Sequence, residues 1–184
     1  MHYMLDLETF STKPNAYIAS IGITAFNKDQ GIVDTFYTNI DPDSYPRDSS
    51  FSIDANTVLW WLSQEREAQD SLQKNLVPIY EALSTASAFM SKHGAQNQGV
   101  WGNGASFDNV ILANAYEALG RRAPWQFWQD RCFRTVKSMY PKLELARLGT
   151  YHNALDDAKW QTEYLLALHR QYATLEFNPS VIAA

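Results

Sequence analysis

Two acids stand two residues apart near the start of the chain, Asp6 and Glu8, in the stretch HYMLDLET of residues 2–9. If this stretch is a strand, alternate side chains take opposite faces. Asp6 and Glu8 then share a face with Met4, while Tyr3, Leu5 and Leu7 take the other. The two carboxylates lie roughly 6.6 Å apart along the strand and point the same way. Two like charges among apolar neighbours are costly unless a positive charge compensates them. A divalent cation does this directly, since hard cations such as Mg²⁺ take carboxylate oxygens. An edge strand with two solvated acids would show the same spacing, so the pair becomes informative only with partners elsewhere.

Two further groups supply partners. Asp108 lies in WGNGASFDNVIL, residues 101–112, which reads as a short strand, a glycine-bearing turn and the first turn of a helix. The positive end of a helix favours a carboxylate there, and by itself this is an ordinary first-turn acid. His152 and Asp157 lie in TYHNALDDA, residues 150–158. Five positions on one helix amount to about 140° of rotation, so the two would not share a face. With Asn153 as the N-cap, His152 falls in the preceding loop, where it can swing back over the first turn. Asp156 then takes the third helical position, where an acid serves free amides and the helix dipole. Asp157 turns inward, beside Ala158 and near Gln161. Asp157 is therefore assigned to a metal and Asp156 to capping. The other histidines, His2, His93 and His169, carry no such context.

The elements that must position these groups follow from pattern. Strands are expected at residues 2–9, 17–26 and 32–40, the last two joined by the turn residues 27–31, which suggests an antiparallel meander. Residues 41–52, rich in Pro, Asp and Ser, read as an extended loop. A helix starts after Asp54 as N-cap and carries Val58, Leu59, Trp61 and Leu62. Residues 76–93 read as a second helix with Gly94 as its stop. Residues 99–102 form a short strand, residues 107–119 a helix closed by Gly120, and residues 121–129 a loop. Residues 131–133 form a last short strand, followed by a helical turn up to Pro141. The final helix covers residues 153–172, and the tail has no clear pattern. The expected fold is α/β: a mixed five-stranded sheet, an antiparallel meander plus parallel strands, flanked by helices.

Composition sets bounds on this reading. The chain of 184 residues suits a single domain, with a core over about residues 1–173 and a tail over 174–184. It is 46% hydrophobic and 14% aromatic, enough for a core without staples. Its one cysteine, Cys132, permits no intramolecular disulfide, which fits a reducing compartment and a cytoplasmic protein. No apolar run approaches the ~18 residues of a membrane span, so no membrane partner is expected. A net charge of −5 argues against coating nucleic acid through bulk positive charge. It leaves room for an enzyme that meets phosphates through bound cations. The aromatic content also leaves room for a homodimer face.

Taken together, the acid-x-acid strand, the Asp at a strand-turn-helix junction and the His followed five residues later by Asp resemble one family. They resemble the DEDDh (DnaQ-like) 3′–5′ exonucleases of the ribonuclease H-like superfamily, and the match spans nearly the whole chain. The segment TVLWWLSQ, residues 57–64, further resembles the small bacterial and phage exoribonucleases within it. The resemblance implies a ribonuclease H-like fold and two divalent cations, Mg²⁺ or Mn²⁺. By resemblance, Asp6 bridges the two, Glu8 and Asp157 complete the first, and Asp108 holds the second. Two such ions about 3.5–4 Å apart stabilise both oxygens of an in-line displacement at phosphorus. His152 would be the general base, and its ordinary pKa near 6.5 suits that task. Single-stranded DNA or RNA would be shortened from its 3′ end, releasing nucleoside 5′-monophosphates.

By the same resemblance, Thr9 and Phe10 line the pocket of the terminal nucleotide. The turn of residues 103–107 stands where relatives often carry a His or Asn, which brings in Asn103 and Phe107. Trp60 and Trp61 are neighbours on one helix and cannot face the core equally. One of them, with Trp61 the candidate, can stack on a base, a contact worth roughly 1–3 kcal/mol. Arg121, Arg122 and Arg131 could meet phosphates, although such charges more often form a solvated face. Two other readings stay open: a non-catalytic nucleic-acid-binding module with the same fold, and a hydrolase of small phosphates.

Overall fold

Strand β1, His2–Thr9, is the axis of the molecule and is buried along almost its whole length. In the computed structural model, which describes residues 1–47, 50–93, 99–104 and 106–172, β1 lies between β2 and β5. The meander is as expected: β2 (Ile18–Asn27) pairs antiparallel with β1, and β3 (Gly31–Ile40) antiparallel with β2. On the other side, β5 (Val100–Gly102) runs parallel to β1, and β6 (Asp130–Cys132) parallel to β5.

Alternation along β1 sorts the two faces. Tyr3, Leu5 and Leu7 pack with buried residues of α3 (Ile79–Lys92) and α4 (Asp108–Ala118) in one apolar cluster. Met4 packs with Phe133 of α5 (Phe133–Ser138) and with Tyr164, Leu165 and Leu168 of α6 (Ala154–Tyr172) in a second. Asp6 and Glu8 therefore project to the face that α6 covers, since period-2 alternation puts them with Met4.

The expected helix over residues 76–93 needs correction. Leu76–Val77 form a short strand, β4, that pairs parallel with Asn39 and Ile40 of β3. The helix begins only after Pro78, its N-cap. A proline disfavours helical geometry in the residue before it, so Val77 is held extended and the sheet takes it up. Gly94, the expected stop, lies outside the described residues, as does the tail from residue 173. The sheet thus has six strands among the described residues, in the order β4-β3-β2-β1-β5-β6, rather than five.

Smaller differences are local. A short helix α2 (Arg66–Ser71), with an Arg66–Asp70 ion pair one turn apart, follows the expected α1 (Ala55–Leu62). Single 3₁₀ turns occupy Pro42–Ser44 and Phe127–Gln129 within the expected loops. Phe133 opens α5 instead of ending the strand, and its ring is fully buried against Tyr164. Caps are as the sequence indicated: Asp54 accepts the amides of Asn56 and Thr57, and Gly120 closes α4 at φ +69°. No helix among the described residues is long and apolar enough to cross a membrane.

Candidate active site

Three distant segments meet at the C-terminal end of β1, next to an irregularity in its pairing between Glu8 and Thr9. Bulges of this kind often re-aim side chains beside active sites. Asp108 arrives from the first turn of α4. Its Oδ1 accepts the backbone N–H of Leu7 at 3.2 Å and its Oδ2 that of Asn103 at 2.9 Å. Asp108 is thereby fixed against β1 between Asp6 and Glu8. Gly102 makes this approach possible, because a Cβ there would lie 2.3 Å from Asn109 Oδ1 and 3.2 Å from Asp108 Oδ2.

The third segment is the start of α6. Asn153 Oδ1 accepts the amides of Leu155 and Asp156, each at 3.2 Å, so Asn153 is the N-cap the sequence indicated. Asp156 has a different task from the expected capping. Its Oδ2 accepts the N–H of Thr150 at 2.9 Å, tying the incoming loop to the helix. His152 stands before the cap at φ +60°, the left-handed region, which is uncommon outside glycine and asparagine. Ligand atoms of Glu8, His152 and Asp157 all lie within 4.8 Å of one another. Asp6 and Asp108 stand outside that trio. Gln161, one turn beyond Asp157, donates to Asp6 Oδ1 at 2.7 Å.

The electrostatics are those of crowded acids. Burial, then the charges of Asp108 and Glu8, push the Asp6 carboxyl well above the ordinary carboxylate range. Burial and Asp108 push Glu8 up to about 8. Burial raises Asp108 to about 6, against the opposing pull of the backbone amides of Asn103, Leu7 and its own residue and of the Arg134 charge. Burial and the nearby Arg147 charge hold the His152 imidazole below its ordinary value, which keeps it neutral. Hard carboxylate oxygens, an adjacent imidazole and a surplus of buried negative charge fit divalent cations.

His152 is held by aromatic rings. The Trp60 ring lies 4.8 Å from the imidazole at 81°, and the Trp61 ring 6.2 Å away at 82°. Trp61 is buried and anchored, its Nε1 donating to the carbonyl of Thr9 at 2.9 Å. Trp60 is 42% exposed, so it is the more accessible of the two rings. Thr9 is also buried, and its hydroxyl is spent on the carbonyl of Ser11. Phe10 lines an apolar cavity of about 260 Å³ with Trp61, Val58 and Leu62. Phe107 packs against the core cluster, and Asn103 contributes its backbone amide to Asp108. Arg121 and Arg131 are turned to other work, donating to carbonyls at Tyr80 and at Trp128 and Asp130.

Two residues of the site escaped the sequence reading. Arg147 pairs with Asp157. Tyr37 donates to Asn39 Oδ1 at 2.7 Å and accepts from Asn153 Nδ2 at 3.2 Å, so it ties β3 to the cap of α6. Neither carries a local signal: an arginine in a loop and a tyrosine on a strand are unremarkable until the fold juxtaposes them.

The fold is similar to that of several solved structures. The nuclease domain of 3′hExo, a DEDDh family member bound to rAMP, matches with a TM-score of 0.66 at 17% identity, covering 96% of this chain and 94% of that one. Exonuclease X in complex with 5′ overhanging duplex DNA matches with a TM-score of 0.59 at 14% identity, over 100% of both chains. The fold is therefore the ribonuclease H-like fold of the DEDDh nucleases. At the level of sequence, the exodeoxyribonuclease of Enterobacteria phage T4 is 25% identical over 161 residues, spanning 72% of this chain and 69% of the relative. The profile of the 3′-5′ exoribonuclease Rv2179c-like domain matches residues 1–169, and the chain belongs to that family. Membership in this family makes it a nuclease, and the resemblance read from the sequence is borne out.

Proposed function

We propose that this protein is a metal-dependent 3′–5′ exonuclease that removes nucleoside 5′-monophosphates from single-stranded RNA or DNA. The convergence of Glu8, His152 and Asp157 within 4.8 Å of one another carries this reading, with buried Asp6 and Asp108 alongside. In it, Asp6, Glu8, Asp108 and Asp157 hold two divalent cations, Mg²⁺ or Mn²⁺. When bound, such a pair stabilises the charge that develops on the oxygens at phosphorus.

The remaining roles belong to the chain. His152, neutral at physiological pH, accepts the proton of the attacking water at one ring nitrogen. The Trp60 and Trp61 rings restrict the imidazole's travel, and Gln161 fixes the Asp6 carboxylate through a single hydrogen bond. Asp108 is oriented by two backbone amides. The more accessible ring, Trp60, is suited to stack on a base, which tolerates any sequence.

The family's description names an exoribonuclease and the T4 relative an exodeoxyribonuclease. The test is incubation of 5′-labelled, 3′-tailed single strands of matched RNA and DNA with Mn²⁺. A ladder shortening from the 3′ end is expected, and its rates rank the two sugars. Retention of full-length strands together with stable binding would instead identify a non-catalytic binding module.

A further inference from the structure

Arg147 lies in the stretch between α5 and α6, where residues 141–148 form no regular structure. Its guanidinium pairs with Asp157, and both side chains are largely shielded, at 19% and 14% exposure. The group is also seated on aromatic faces, 4.1 Å from the Tyr151 ring centre and 5.6 Å from that of Trp160. Its charge acts on Asp6 and Glu8 as well as on Asp157. A cation at this point therefore acts on the same acids as the proposed metal ions would, in the same sense, without cancelling their excess charge.

Guanidinium and metal compete for the Asp157 carboxylate. A carboxylate oxygen held against a guanidinium is less available to a metal, and a fixed cation a few ångströms from a divalent ion repels it. The loop has room to move. A cavity of about 490 Å³ is lined by Leu145, Ala146, Leu148 and Gly149 of this stretch and by Trp160 and Glu163 of α6.

We propose that Arg147 is a tethered counter-ion: it holds Asp157 in the metal-free protein and must leave for a divalent cation to bind, so that it sets the metal affinity of the site. This rests on the metal-binding reading above and deepens it. Because Arg147 is seated on the ring of Tyr151, the chain neighbour of His152, its departure also frees that ring.

Isothermal titration of the metal-free full chain with Mn²⁺ tests the proposal, with thermal melting of the same samples in chelator. Arg147→Met is expected to bind Mn²⁺ about tenfold more tightly than the native chain, because a charge-assisted competitor is gone. Its metal-free form is expected to melt lower, since the acids lose their resident cation. Tyr151→Ala, at an exposed position, removes the ring beneath the guanidinium without altering charge. It is expected to give a smaller gain in the same direction. Unchanged or weaker Mn²⁺ binding in both variants, with the native chain binding normally, would show a purely structural ion pair and overturn the proposal. A native chain that binds no Mn²⁺, and behaves in titration like Asp6→Ala, would overturn the metal reading itself.

Discussion

Gly22 and Ala154 touch backbone to backbone: a Cβ on residue 22 would lie 2.2 Å from the carbonyl carbon of Ala154. Gly22 is also the cross-strand partner of Asp6. One missing side chain thus lets the start of α6 settle onto the sheet beside the first acid, which brings Asp157 and Gln161 to their places. Gly22→Ala is expected to push α6 outward, costing roughly 1–3 kcal/mol by overpacking. Activity is expected to fall further than stability, because Glu8 and Asp157 no longer converge. Melting temperature and exonuclease rate on the same preparation check this; a variant as active as the native chain would show that the close approach is not needed.

Metal-free stability should fall as pH rises. Asp6, Glu8 and Asp108 hold their protons more tightly folded than unfolded. Between the unfolded carboxylate range near pH ~4 and the folded values, the native state therefore binds more protons. The stabilisation from these groups is complete below that range. It is lost as pH rises through about 6 for Asp108 and about 8 for Glu8. Asp34, held low by Lys92 and His93, acts in the opposite sense at more acid pH, and His2, pushed down to about 4 by burial, and His152 do so below the ordinary histidine range. In chelator, the melting temperature is expected to drop between pH ~6.5 and ~8.5, above the range where the histidines titrate, and saturating Mg²⁺ or Mn²⁺ to flatten the drop. A melting temperature that climbs across this window would contradict the crowded-acid picture.

Replacing Asp6 by Asn separates stability from activity. The substitution removes one buried charge while leaving an oxygen for Gln161 to meet. The metal-free variant is expected to melt higher than the native chain at pH ~8 and to have no exonuclease activity, the trade-off common at strained sites. Differential scanning calorimetry in chelator reads the first effect and a labelled-strand assay the second.

Loss of the base should leave the fold untouched. His152 sits in a loop, half-buried, and makes ring contacts with Trp60 and Trp61. His152→Ala is expected to lower kcat by about 10²- to 10⁴-fold, the usual weight of a general base. Its circular dichroism should match the native spectrum. The native rate should fall as pH drops below the ordinary histidine range, and the variant should lose that acid limb. A variant with full activity at neutral pH would remove His152 from the mechanism.

Tyr37 offers a subtler check. Its hydroxyl joins Asn39, itself bonded to the carbonyls of Ser71 and Lys74, to the N-cap Asn153 next to His152. Tyr37→Phe is expected to cost about 1 kcal/mol of stability, as for a typical hydrogen bond. If the relay also steadies the left-handed turn at His152, kcat falls while Mn²⁺ affinity holds. Equal kcat in both proteins would confine the relay to stability.

Much of this molecule was legible in the residue string because the signals are local. Alternation along residues 2–9 assigns the faces of β1, Asp54 and Asn153 announce their helices by capping, and the five positions proposed as metal ligands and base stand in surroundings that resemble the family's. Each depends on neighbours within a few residues, where periodicity and hydrogen-bonding side chains act without regard to the rest of the fold. The parallel strand at Leu76–Val77 was hidden for the opposite reason: a helical apolar spacing continued past Pro78, and only the edge of β3 decides that those two residues pair. Arg147 against Asp157, Tyr37 against Asn153 and Gly22 beneath Ala154 are likewise relations between segments brought together by packing. The chain's local chemistry determined which side chains can hold charge and move protons; the crossing of α6 over the sheet decided which of them meet, because distance between remote residues is set by the packed core.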